Sequence, residues 1–195
     1  MTRTIEVVPY DPGWPGRFAL EAEALRGVFG SAVKAIHHIG STAVPGLAAK
    51  PVIDILVVLD DTADVGRFDE AMVMLGYRIR GECLDAGGTP GRFYYSKPSQ
   101  GKRTHHVHVC AEGHFQIPEL VLFPRYLRER PDVAVAYAEL KAQALGEGDG
   151  DNERYMARKH TWIGGAVRDA LAHFGEPDRR SALGGGVVPD PPAAG

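Results

Sequence analysis

The constraint that most limits how this chain folds is the run Val52-Ile53-Asp54-Ile55-Leu56-Val57-Val58-Leu59. Side chains alternate along a strand, so Val52, Asp54, Leu56 and Val58 share one face, and Ile53, Ile55, Val57 and Leu59 share the other. Both faces are apolar, which predicts a central strand covered on both sides. One carboxylate, Asp54, interrupts it. An isolated carboxylate in such a place is neutral or is held by a cation, because desolvation penalises the charged form. A structural acid bonded to a nearby turn is the plainer alternative.

Immediately upstream lies His38-Ile39-Gly40-Ser41-Thr42-Ala43-Val44-Pro45-Gly46-Leu47. Gly40 and Gly46 permit close backbone approach, while Ser41 and Thr42 offer hydroxyls and can cap a short helical turn. Exposed amides at such a turn attract phosphate oxygens. Taken alone, the motif also fits an ordinary strand-to-helix connection. Lys50 stands four residues before Asp54, about 13 Å away along extended chain at about 3.3 Å per residue. It therefore suits a separate part of a polyphosphate better than the Asp54 carboxylate.

A third segment, Thr104-His105-His106-Val107-His108-Val109-Cys110, alternates with period two. Thr104, His106, His108 and Cys110 fall on one face, and His105, Val107 and Val109 on the other. Two imidazoles at this spacing can serve as metal ligands, phosphate contacts or proton carriers, or form a polar face with no ligand. Arg92, Lys97, Lys102 and Arg103 flank the segment together with Phe93, Tyr94 and Tyr95, as a cationic rim for phosphate or as a solvated hairpin.

At 195 residues with a net charge of −3, the chain has the length of one domain and no overall basic field for nucleic acid. Two cysteines and no signal-peptide core predict a reducing, cytoplasmic setting, and no apolar run reaches the length of a membrane span. No Gly-x-x-x-x-Gly-Lys-Ser/Thr loop occurs, which excludes a P-loop kinase.

Strands are predicted at about 4–8, 33–39, 52–59, 77–80, 92–95 and 104–110, with helices at about 15–29 and 63–75. Helices then follow from about 117, from Pro131 and from about 151 to 174. The expected fold is α/β (α+β), a mixed sheet flanked by helices with a helical C-terminal part. One domain spans 1–175, followed by a Gly- and Pro-rich tail at 176–195 that is expected to be disordered.

Together, Tyr10-Asp11-Pro12-x-Trp14, the run from His38 to Leu47, Lys50-Pro51-x-Ile53-Asp54 and Thr104-His105-His106-Val107-His108-Val109 resemble the GrpB family. Tyr126-Leu127-Arg128, Tyr137-x-x-Leu140-Lys141 and Tyr155-x-x-x-Lys159 add to the resemblance, which spans about residues 5–173. That family is assigned to the DNA polymerase β-like nucleotidyltransferases, and some relatives are fused to a dephospho-CoA kinase domain. The resemblance implies a mixed nucleotidyltransferase-like sheet and transfer of a nucleotide from a nucleoside triphosphate to an acceptor. It implies phosphate binding by Gly40, Ser41 and Thr42, with Lys50, Arg92, Arg103 and Lys159 neutralising charge. Asp54 would bind a divalent metal, Mg2+ or Mn2+, assisted by His106 and His108 as catalytic or metal-binding groups.

The superfamily pattern carries a second acid two residues after the first, and that position is Leu56 here. Glu82, Glu112, His106 and His108 are the possible substitutes. The competing readings are a non-catalytic module for a nucleotide or phosphorylated ligand, and a hydrolase with Asp54, His106 and His108 as a metal triad. Phe123-Pro124-Arg125-Tyr126 also departs from the family's Phe-Arg-Asp-Tyr, which removes any role of that Arg or Asp.

Overall fold

The computed structural model describes residues 6–82, 89–99, 101–146 and 161–175. Helix α1 (Trp14–Phe29) starts with Pro15 in its first turn, where the missing N–H costs nothing, and ends at Gly30 with φ 57°. It leads into β1 (Val33–Ile39), and a short 3-10 turn over Ser41–Ala43 precedes β2 (Ile53–Leu59). A further 3-10 turn (Val65–Phe68) runs directly into α2 (Asp69–Met74), so the predicted helix at 63–75 is split. Strands β3 (Arg78–Glu82), β4 (Arg92–Ser99) and β5 (Lys102–Ala111) follow, the last two longer than the periodicity indicates. Helices α3 (Gln116–Glu129), α4 (Pro131–Gly146) and α5 (161–175) complete the described chain.

The strands form one mixed sheet in the order β1-β2-β5-β4-β3, with β2 and β5 parallel and the other neighbours antiparallel. The expected opening strand is reduced, among the described residues, to a single bridge from Val8 to Ala49. Residues 1–5, the first part of the predicted last helix and the predicted tail at 176–195 lie outside the described residues.

Both faces of β2 are covered, as its composition requires. Ile53, Ile55, Val57 and Leu59 pack with Trp14, Phe18, Ala22, Leu25 and Phe29 of α1 and with Met72, Tyr95, Val107 and Val109. Leu56 and Val58 pack on the other face with Ala35, Ile39, Cys110 and Ile117 of α3. The C-terminal helices do something different. Leu127 and Phe123 of α3, Tyr137 of α4 and Ala166 of α5 cluster with Val44 and Leu47, so they clamp the segment that follows the Gly-Ser turn. Among the described residues no helix is long and apolar enough to cross a membrane.

Leu56 is wholly buried. Leu56→Ala is expected to cost about 2–5 kcal/mol through lost burial and a residual cavity. Leu56→Asp, which would restore the acidic pair, is also expected to destabilise the fold, because it places a carboxylate where Leu56 fills an apolar cluster. Urea denaturation of the two variants checks both outcomes.

Candidate active site

Strand register arranges one face of the sheet in rows. The outermost row is Ile39, Asp54, His106 and Ser96; the next is His37, Leu56, His108 and Tyr94; the third is Ala35, Val58, Cys110 and Arg92. Ile117 of α3, with Leu120 and Val121, covers the apolar members of these rows. Asp54 stands at the β2 end nearest the Gly-Ser turn, and its side chain is 30% exposed.

Gly40 has φ 71° and ψ −168°, a conformation essentially reserved for glycine. A Cβ there would meet Asp54 Oδ2 at 2.6 Å and the Asp54 Cβ at 3.1 Å. The glycine is thus required both by the backbone and by the carboxylate beside it. The other oxygen, Oδ1, accepts a hydrogen bond from His106 Nδ1 at 3.0 Å. This fixes the imidazole tautomer and leaves Nε2 as the basic nitrogen, which is buried with no hydrogen-bond partner. The Tyr94 ring meets His106 edge-on and stacks on His108, with centroids 5.4 and 5.2 Å apart.

His108 shares the face with Asp54 but not its cluster. Residues two apart on a strand lie about 6.6 Å apart, and here His106 turns to Asp54 while His108 lies against Tyr94. Among the described residues no three His, Cys, Asp or Glu side chains converge to hold a metal ion. The triad of Asp54, His106 and His108 is therefore not assembled. Burial lowers the His108 pKa to about 4, with Arg92 and His106 acting in the same direction and Asp54 opposing. Burial also lowers the pKa of His37 in the same row.

The other predicted residues are dispersed. Ser41 lies on the turn beside Asp54, but the Thr42 side chain turns away. Its buried hydroxyl lies 3.0 Å from His38 Nε2 and donates to the Val52 carbonyl at 3.4 Å, so it pins the turn rather than offering itself to phosphate. His38 in turn stacks on Phe18 at 4.7 Å. Lys50 is exposed on the loop before β2, and Arg92 lies two rows deeper than Asp54, beside His108. Arg103 belongs to a separate cleft with Arg78, Arg80 and Lys102. Lys159 lies outside the described residues.

Neither glutamate replaces the missing acid. Glu82 accepts the Gly91 amide at the far edge of the sheet, and Glu112 donates its amide to Leu59, at the opposite end of β2 from Asp54. Lys97 and His105 serve the other face. Glu21 accepts from Lys97 Nζ at 2.7 Å and from the Tyr77 hydroxyl at 2.9 Å, with His105 Nε2 3.9 Å away.

One residue was not predicted as part of the site. Lys141 of α4 is only 4% exposed, yet its Nζ reaches the Ala48 carbonyl at 2.5 Å and Ser41 Oγ at 3.5 Å, and lies over the Tyr137 ring. A hundred residues separate it from Ser41, and its only sequence signal is its place in the Tyr137-x-x-Leu140-Lys141 motif. A hard divalent cation commonly uses one or two protein carboxylates and completes its shell with substrate phosphate oxygens and water. Asp54, on the open end of β2 with Oδ2 facing the turn, fits that donor chemistry. With Leu56 in the core, a two-metal set does not.

Gly40→Ala is expected to destabilise the protein by about 1–3 kcal/mol from backbone strain alone, with Asp54 displaced in addition, as read by urea denaturation. The pH dependence follows from His108. It is neutral in the fold down to about pH 4 but takes a proton near 6.5 when unfolded, so acid favours the unfolded chain. Stability present above pH 6.5 should fall by about 2 kcal/mol by pH 5 from this group. Denaturation at pH 7.5 and 5.0 should show a smaller loss in His108→Phe, which keeps a ring against Tyr94.

The GrpB protein family model matches residues 4–169. The chain is 40% identical over 168 residues to the UPF0157 protein YqkA of Bacillus subtilis, covering 86% of this chain and 48% of that protein. It thus spans about half the length of that relative. It is also 29% identical over 187 residues to a protein named dephospho-CoA kinase from Mycolicibacterium paratuberculosis, covering 85% of this chain and 46% of the other. Among solved structures, conserved protein GrpB from Enterococcus faecalis superposes with a TM-score of 0.78 at 36% identity. That match covers 88% of this chain and all of the other. With the turn, the acid and the histidine strand arranged on one matching fold, the chain belongs to the GrpB family.

Proposed function

We propose that this protein binds a magnesium- or manganese-complexed nucleoside triphosphate at the Gly40–Ser41 turn and transfers the nucleotide to an acceptor hydroxyl. The observation that carries this reading is the convergence of Gly40, Ser41, Asp54 and Lys141 from three separate parts of the chain. Lys141 Nζ touches the Ser41 hydroxyl, and the glycine leaves space for the Asp54 carboxylate. An ammonium, a hydroxyl and a glycine turn are the donor set for phosphate oxygens, and an adjacent carboxylate suits the cation that accompanies them.

In this reading Ser41 and Lys141 hold the phosphates and orient the α-phosphorus towards the acceptor. Asp54 Oδ2 would hold the divalent cation, which when bound supplies charge neutralisation for the phosphoryl group. Asp54 Oδ1 keeps the His106 Nδ1–H in place, and His106 Nε2, buried in the ligand-free fold, would take the proton from the acceptor hydroxyl once substrate binding uncovers it. The acceptor oxygen forms its bond to phosphorus as the bond to pyrophosphate breaks. His108 orients Tyr94 across the imidazole and takes no proton near neutral pH.

The competing reading is a non-catalytic module for a nucleotide or another phosphorylated small molecule, and Leu56 favours it, because its burial leaves the site with a single carboxylate. Calorimetry with nucleoside triphosphates, with and without Mg2+ or Mn2+, together with pyrophosphate release, separates the two. Binding with turnover is expected; binding without turnover supports the module. Asp54→Asn should remove the metal-dependent part of binding, and Lys141→Met should weaken binding at least about tenfold, the scale of a lost charge-assisted hydrogen bond. Absence of binding by any nucleotide overturns both readings.

A further inference from the structure

Along the outermost row, beyond Asp54 and His106, comes Ser96, and Arg78 of β3 pairs with Ser96. Ser96 is 2% exposed and lies against a cleft of about 130 Å³ that is also lined by Arg78, Arg80, Lys102 and Arg103. Four cations line this space and no carboxylate does, in a chain whose net charge is −3. Lys102 has an exposed partner in Glu6 at 2.8 Å; among the described residues no ion pair neutralises the three arginines. Holding like charges together at one edge costs repulsion, which an anion in the cleft would reverse.

The size of the cleft selects the anion. Pockets for drug-sized ligands run to about 300–1,000 Å³, so this space suits one phosphate group rather than a whole nucleotide. Guanidinium groups present paired N–H donors that match phosphate oxygens. The location selects its purpose. Neighbouring strands are spaced about 4.8 Å apart, so Ser96 is two spacings from Asp54, about 10 Å, and Arg78 is three. That is the span between the two ends of a small phosphorylated molecule.

We propose that this cleft is a second anion site, separate from the Gly-Ser turn, that takes the phosphate monoester of the acceptor while the acceptor hydroxyl lies towards His106. The acceptor assignment rests on the nucleotidyl-transfer reading; the anion site itself does not. Arg78 and Arg103 would grip the phosphate from opposite sides of Ser96, with Arg80 and Lys102 adding charge. The site prefers a dianion, so its affinity falls as the phosphate gains its second proton.

Titration with inorganic phosphate, followed by calorimetry or by 31P line broadening, tests the site without a known acceptor. Binding is expected at pH 7.5, weakened severalfold at pH 5.5, and weakened at least tenfold in the Arg78→Ala/Arg103→Ala protein. Arg78 is exposed and Arg103 half-buried, and both lie outside the apolar clusters, so circular dichroism of that variant should match the parent. Asp54→Asn and Lys141→Met should leave phosphate binding in the cleft intact while weakening nucleotide binding. Unchanged phosphate affinity in the double arginine variant, or equal loss in Lys141→Met, overturns the proposal. Phosphate binding that survives without any nucleotide binding would keep the anion site and overturn the acceptor assignment. Binding of single-stranded RNA through the same arginines in preference to phosphate would replace the small acceptor with a nucleic acid and overturn it as well.

Discussion

The contact between Gly40 and Asp54 organises this molecule. A carboxylate in a strand covered on both faces is tolerated only where the sheet opens, and the chain opens it at one residue. Gly40 ends β1 opposite that carboxylate and adopts a backbone conformation denied to other residues. The register Ile39 to Asp54 then carries the histidines of β5 into the same rows, because β2 and β5 run parallel. Everything built at this end of the sheet depends on those pairings.

The two faces have divided the polar residues between them. On the α1 face, Glu21 gathers Lys97, Tyr77 and His105 into a partly buried network above a large apolar core. Such a network satisfies Lys97 and Tyr77, which burial would otherwise penalise. On the opposite face the nitrogens of His106, His108 and Arg92 are buried without hydrogen-bond partners. His105 Nε2 on the α1 face is likewise buried without a hydrogen-bond partner, so unmatched nitrogens occur on both faces, and those of His106, His108 and Arg92 are the ones that share a face with Asp54.

The C-terminal helices complete the site by packing on the turn instead of extending the sheet core. Val44 and Leu47 supply the apolar contact, and α4 in consequence brings Lys141 against Ser41 and Ala48. Burying an ammonium is costly unless oxygen acceptors and an aromatic face receive it, and the turn together with Tyr137 provides both. The same economy explains Leu56. A second acid there would enter the cluster formed by Ile117, Cys110 and Val58, whereas leucine fills it.

Much of the fold was legible in the sequence because its signals are local. The double-sided apolar run of β2, the alternation of β5 and the glycine turn each follow from side-chain periodicity and backbone sterics, and the family motifs mark the same residues. Local periodicity also separates His106 and His108 from His105 by face. It contains no information about which of two same-face imidazoles turns to Asp54, because that depends on Tyr94 from a third strand. Likewise, the Thr42 hydroxyl reads as a ligand donor until His38 is seen to occupy it. Lys141 showed only as a member of a motif, and the cleft only in part, through Lys102 and Arg103, for the same reason. Charge clusters assembled from α4, or from β3 with β5, arise from packing and strand order, and a long-range electrostatic arrangement leaves no periodic trace in the chain. The sequence by itself determined the strand, the turn and the lone acid; the tertiary structure alone decided which charges and rings meet them.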